Sequence, residues 1–210
     1  MNDVLYTIGH SQHKTEYFIE MLKVYRINYV LDVRSTPYSQ FASDYNKENI
    51  KKVLSNVGIQ YGFMGRYFGA RQEDRNLYTD EGYLDFERTR RSIPFQVGMQ
   101  NVMKGVQLGY KIALMCTEKD PMECHRAIMV ARTFYENGLD VQHILWDKTL
   151  QSHAVLNKRL LDLYYPDRNQ MSLFFEDNKS EEEYLQEAYE RQNEKIGYHI
   201  QDTRKVLAKV

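Results

Sequence analysis

Residues 27–35 read INYVLDVRS, a β-branched and aromatic run with a fully apolar centre that ends in aspartate, arginine and serine. Such a run, without polar alternation at its centre, fits a strand covered on both faces and so a parallel sheet. Four other stretches share the pattern: VLYTIGH (4–10), IQYGFM (59–64), KIALMC (111–116) and DVQHIL (140–145). Between them, KTEYFIEMLKVY (14–25) spaces Tyr17, Phe18, Met21, Leu22 and Tyr25 at helical intervals. NKENIKKVLSNVG (46–58) runs from an Asn46 cap to a Gly58 stop. The stretch 84–107 is helical in pattern but interrupted by Pro94, so it reads as two helices or one kinked helix. Alternating strands and helices, joined by right-handed crossovers, predict an α/β fold. The expected architecture is a three-layer sandwich with a mainly parallel five-stranded sheet, helices on both faces, and a C-terminal helical and charged extension.

The α/β domain is drawn at 1–146 and the extension at 147–210. In the extension, HAVLNKRLLDLYY (153–165) is an amphipathic helix ended by Pro166, and 176–195 is either a solvated helix or a disordered tail. Residues 176–210 hold 6 Lys and Arg against 9 Asp and Glu, leaving 22 against 20 in the rest, so no polybasic surface is expected. Contact with nucleic acid would have to be local. The 17 tyrosines reflect either compositional drift or an aromatic surface for ligands and bases. No apolar run reaches the roughly 18 residues of a membrane helix, and the N-terminus lacks the pattern of a signal peptide. Two cysteines make no disulfide framework, which predicts free thiols in a reducing cytoplasm.

In doubly wound sheets, ligands bind outside the carboxyl ends of the strands. Here those ends read GHS (9–11), DVRS (32–35) and MCTE (115–118), the most chemically loaded short stretches in the chain. Glu118 is a candidate general acid or base, and Cys116 and Cys124 are candidate nucleophiles. His10 and Asp32 join them as catalytic candidates. Ser11, Arg34, Ser35, Arg71, His125 and Arg126 are candidates for holding phosphate or sugar. Arg71 lies in the long polar stretch 65–83, which also carries Arg66 and Arg75.

Asp120-Pro121-Met122-Glu123 reads as a helix start, with a capping aspartate and proline at the first position. That would place Cys124, His125 and Arg126 in the first turn, where free N–H groups favour anions and lower a thiol's pKa. Burial of Cys124 against the sheet is the structural alternative. Zinc on Cys116, Cys124, His125 and His10 is a third reading. The gap between the cysteines is not a finger spacing, so no metal or other cofactor is predicted.

YTIGHS, LDVRSTPYSQF, GIQY, FGAR and LMCTEKDPMECHRAIMVA, in that order from Tyr6 to Ile144, resemble the family of the domain of unknown function DUF488. Gln40 and Ala70 depart from the pattern the resemblance leads one to expect. The resemblance implies the fold and the site positions, but no substrate. The DVR strand paired with a cysteine at a later strand end is also similar to rhodanese-type sulfurtransferases, although Cys116 and Arg126 are too far apart in sequence for their compact cradle. Outside the domain, QMSLF (170–174) resembles the peptide by which bacterial DNA polymerases and repair proteins bind the sliding clamp. Gln170, Leu173 and Phe174 would make that contact. The expected function is therefore an enzyme acting on nucleic acid or nucleotides, in DNA repair or base modification. The alternatives are a non-catalytic nucleotide- or DNA-binding module and a cysteine-dependent sulfur-handling enzyme of rhodanese-like type.

Overall fold

In a computed structural model of the chain, which describes residues 3–168 and 179–200, the five expected strands form one sheet. They are β1 (Val4–Gly9), β2 (Tyr29–Asp32), β3 (Gln60–Phe63), β4 (Ile112–Cys116) and β5 (Asp140–Ile144), all parallel. A short sixth strand, β6 (Leu150–Ser152), pairs antiparallel with β5, giving the order β3-β2-β4-β1-β5-β6. The sequence reading missed β6. At three residues it is too short to show a period, and it lies beyond residue 146.

The helices are α1 (Thr15–Val24), α2 (Lys47–Asn56), α3 (Gly65–Phe68), α4 (Phe86–Arg91), α5 (Ile93–Gln107), α6 (Arg132–Glu136), α7 (His153–Tyr164) and α8 (Glu181–Ile196). Pro94 does divide 84–107 into two helices: Ser92 caps α5 by accepting from Phe95 N, and the proline sits in its first turn. Gly58 ends the α2 region with φ of 76°, a backbone state that favours glycine.

Successive side chains of a strand face opposite ways, and the two sheet faces carry separate cores. Ile8, Val30, Ala113 and Met115 meet Phe18, Met21 and Leu22 of α1 and Ile50 and Leu54 of α2. Leu5, Leu31, Val33, Leu114 and Cys116 face the larger core, built with Phe95 and Val102 of α5, Phe134 of α6 and Leu156 and Leu160 of α7. The connection after β1 thus leaves to one face and the connection after β4 to the other. Because β1 and β4 are neighbours, their carboxyl ends part and open a crevice, the usual ligand position of such sheets.

Residues 181–196 are not a free charged tail. Helix α8 opens with a capping box between Ser180 and Glu183 and buries Tyr184, Ala188, Tyr189, Gln192 and Asn193. Asn193 accepts from Phe86 N and donates to the Leu84 carbonyl, while Gln192 donates to the Met122 carbonyl. Arg132 stacks its guanidinium over the Tyr189 ring. The helix is held by one polar and aromatic stripe under an acidic exterior. The peptide with Gln170, Leu173 and Phe174 lies outside the described residues. Among the described residues, no helix is long and apolar enough to cross a membrane.

Candidate functional site

The crevice is built on a close crossing. His10 N donates to the Cys116 carbonyl and Ser11 N to the Thr117 carbonyl, which continues the β1–β4 ladder past the strand ends. The chain then turns across β1 at Gly9. A side chain there would place its Cβ 1.9 Å from the Glu118 carbonyl oxygen and 3.2 Å from Arg126 Nη2. Glycine is required for this close approach, although its φ is unremarkable.

Downstream, Asp120 caps a turn as expected, accepting from Met122 N, but the element is a single 3-10 turn at Pro121–Glu123. Cys124 follows with extended φ and ψ of −136° and 132°, so it does not occupy a helical first turn. The expectation of an anion-binding helix start at Cys124 is thereby corrected: the cap belongs to an isolated turn, and Glu123 pairs with Lys195 of α8 instead. The helix begins after His125 as a π-helical segment, Arg126–Ala131, which is buried throughout and runs into α6. Such wide turns are uncommon and recur at functional sites.

This geometry brings Cys116, Glu118, Cys124 and His125 together. Cys124 Sγ lies 2.8 Å from Glu118 Oε2, and His125 Nδ1 lies 3.9 Å from Cys116 Sγ and 4.0 Å from Cys124 Sγ. His125 Nε2 sits 3.1 Å from the Val33 carbonyl oxygen, which can only accept, so the ring proton is on Nε2. Both thiols are buried and free. Burial raises the Cys116 pKa, and the neighbouring Cys124 raises it further. Burial also works to raise Cys124, but the Cys116 hydrogen bond, the Arg126 charge and His125 together hold it well below an ordinary thiol. Glu118 is raised, by burial first and then by Cys124. The four groups thus share protons in a dry, crowded space.

Behind them, Arg126 is fully buried and donates from Nη1 to the Glu118 carbonyl at 2.7 Å. Its Nε and Nη2 have no partner among the described residues. Arg126 therefore underlies the site and does not line it. Asp32 and Arg34 form a buried bidentate pair on the other sheet face, with contacts of 2.9 and 2.6 Å. Tyr61 donates to Asp32, and Arg34 donates to the Tyr45 carbonyl. His10 stacks on the Tyr45 ring at 4.0 Å, with Nε2 3.3 Å from Arg34 Nη1. Burial, then the charges of Arg34 and Arg126, push its pKa down to about 3, so it is neutral at physiological pH. Asp32 and His10 thus orient Arg34 and lie beneath the surface that would touch a ligand.

Above both layers is a cavity of about 270 Å³, lined by Arg34, Ser35, Arg71, Cys116, Glu118 and His125 among others. Ser35 Oγ accepts from Arg71 N at 2.8 Å, and the Arg71 guanidinium stacks on Tyr198. Ser11 contributes its backbone to the crossing but does not line the cavity. Ile196 and Tyr198, at the end of α8, close one wall. The sequence reading missed them because no motif marks them and their segment reads as a polar tail.

A family model described as Domain of unknown function DUF488 matches residues 14–133, more than half of the chain. The matched span includes Arg34, Arg71 and the four clustered groups, and leaves out His10, Ser11, α7 and α8. No curated protein and no solved structure matches the chain.

Replacing Gly9 with Ala is expected to lower the unfolding free energy by about 1–3 kcal/mol, since backbone atoms must give way to the new methyl. Urea denaturation checks this, and unchanged stability would mean that the crossing at Glu118 is not held tightly against β1.

Proposed function

The chain belongs to the DUF488 family, and we propose that it is an enzyme acting on nucleotides, free or within nucleic acid, with Cys116, Glu118, Cys124 and His125 as its reaction centre. The observation that carries this reading is the convergence of proton-sharing groups and guanidinium groups on one cavity at the parting of β1 and β4. Two thiols, a carboxyl and an imidazole supply acid–base capacity in a largely buried cluster. Arg71 has no carboxylate partner among the described residues and faces the cavity, as a phosphate contact requires. Arg34, oriented by its bidentate pair with Asp32, lines the same cavity.

Exposed aromatic rings lie on the loops that follow two of the strands. Phe41, on the loop after β2, is 89 % exposed, and Tyr38 on the same loop and Trp146 after β5 are about half exposed. Lys119 lies over the Trp146 ring. Exposed aromatic rings together with cations are a means by which proteins stack unpaired bases and follow a phosphate backbone. A sulfur-transfer reading with Cys124 as nucleophile is less well supported, because Cys124 is 1 % exposed and does not line the cavity. The peptide Gln170–Phe174 would bring such an enzyme to DNA through a bacterial sliding clamp.

Two experiments test these proposals. Wild-type chain, Arg71→Ala and Glu118→Gln are incubated with single-stranded DNA, duplex DNA and a nucleoside phosphate, and binding and products are measured. Arg71→Ala is expected to weaken binding about tenfold, the loss of one charge-assisted contact of about 1.4 kcal/mol. Glu118→Gln is expected to bind but not turn over. Wild-type turnover by Glu118→Gln, or unaltered binding by Arg71→Ala, would remove these residues from the site, and failure of all three probes would defeat the nucleotide reading. For the clamp, binding of the full chain to a purified bacterial sliding clamp should vanish when Gln170, Leu173 and Phe174 are changed to alanine. Equal binding by both chains, or none by either, refutes the contact.

A further inference from the structure

The four clustered groups are also a ligand set, and we propose that Cys116 Sγ, Cys124 Sγ, His125 Nδ1 and a Glu118 carboxylate oxygen hold a zinc ion. The inference rests on the reading of this cluster as the reaction centre and gives that centre a cofactor. These four donor atoms all lie within 4.8 Å of one another. Tetrahedral zinc, with bonds of about 2.3 Å to sulfur and 2.0 Å to nitrogen, puts sulfur and nitrogen about 3.5 Å apart. The separations of 3.9 and 4.0 Å from His125 Nδ1 to the two sulfurs need only a small contraction to reach it.

The imidazole is already oriented as a ligand. Its Nε2–H is fixed on the Val33 carbonyl, so Nδ1 is the ring atom turned toward the two sulfurs. A backbone carbonyl on the far nitrogen is the usual outer contact of a metal-bound histidine. The donors are soft thiolates and an imidazole with one carboxylate, a set that suits zinc and not magnesium or calcium. The spacing that argued against zinc in the sequence is explained by the fold. Cys116 and Glu118 leave the end of a central strand, whereas Cys124 and His125 come from the link between a 3-10 turn and a π-helix, so no finger spacing is needed.

Charge supplies an independent argument. Two thiolates and a carboxylate bring three negative charges, and a divalent ion leaves one uncompensated. Arg126, fully buried next to the cluster with two N–H groups unpartnered among the described residues, provides the matching positive charge. A guanidinium stays ionised in proteins, and its burial without an anionic neighbour is strongly unfavourable. Glu118 is the least buried of the four and lines the cavity, so it is the ligand that a water or substrate would displace. Three firm protein ligands and one exchangeable position are the pattern of a catalytic zinc site.

The test uses the full chain without an affinity tag, purified with reductant and with neither chelator nor added metal. Elemental analysis is expected to find about one zinc per chain. Exchange for cobalt should produce a thiolate-to-cobalt charge-transfer band in the near ultraviolet and tetrahedral bands in the visible. Cys124→Ser and His125→Gln should each lower zinc affinity by more than the roughly 10–100-fold that changes outside the ligand shell cost. A chain that is folded by circular dichroism, free of metal and without a charge-transfer band on cobalt titration overturns the proposal. So does zinc retained at full affinity by both variants, which would mark an ion bound elsewhere. Absence of zinc together with loss of turnover in Glu118→Gln would refute the metal and leave the reaction centre standing. Zinc at this position with no effect of Glu118→Gln on turnover would do the reverse.

Discussion

The constraint on which this site depends is the charge of Arg126. A guanidinium with no solvent contact must find both hydrogen-bond acceptors and a negative neighbour inside the protein. One acceptor is the Glu118 carbonyl, reached only because residue 9 is glycine and the chain can cross β1 at contact distance. The negative neighbour is Cys124, whose thiol the Arg126 charge helps hold well below an ordinary one, in the cluster that the same crossing completes. Remove any one of these features and the others lose their reason: without the crossing, Glu118 leaves the cysteines, and without the cluster, Arg126 is an isolated buried charge.

The two sheet faces divide the work. On the face covered by α1 and α2, Asp32, Arg34, His10, Tyr45 and Tyr61 form a closed network that sets the position of one cation at the cavity wall. On the other face, Cys116, Cys124 and His125 lie over Arg126 and meet Glu118 at the tip. Neither network is fully exposed, and both end at the crevice where β1 and β4 part. A ligand entering there would meet the guanidinium groups of Arg34 and Arg71 together with Cys116, Glu118 and His125. The clustered groups sit at and just past the end of a central strand and on the short link before a buried π-helical segment.

Much of this was legible in the sequence. Apolar runs ending in GHS, DVRS and MCTE mark central parallel strands, and a sheet of that kind places their ends together whatever lies between them. Other features were hidden for physical reasons. Leu150–Ser152 is too short for a period to show. The capped turn before Cys124 has the residues of a helix start, but a run of one turn cannot be told from a longer helix by its cap alone. Arg126 looked like a ligand contact because basic residues are rarely buried, and only the packing of the π-helical segment shows it enclosed. In α8 the charged residues obscured Tyr184, Ala188, Tyr189, Gln192 and Asn193, which share one face at helical spacing. Of the four clustered groups the sequence already pointed to Cys116, Cys124 and His125 as a set, but Glu118 joins them only through the crossing at Gly9, which no contiguous motif marks.

The most direct measurement is a double-mutant cycle on stability between Arg126 and Cys124, using Arg126→Met and Cys124→Ser singly and together in urea denaturation. If the buried cation and the cluster are one electrostatic unit, each single change leaves the other partner uncompensated, and the double change should cost less than the sum by at least about 1.5 kcal/mol. Arg126→Gln, which is also uncharged but keeps N–H donors, serves in place of Arg126→Met should the latter fail to fold. Costs that add within about 0.5 kcal/mol would contradict the account, because Arg126 would then be balanced by something other than the site built over it.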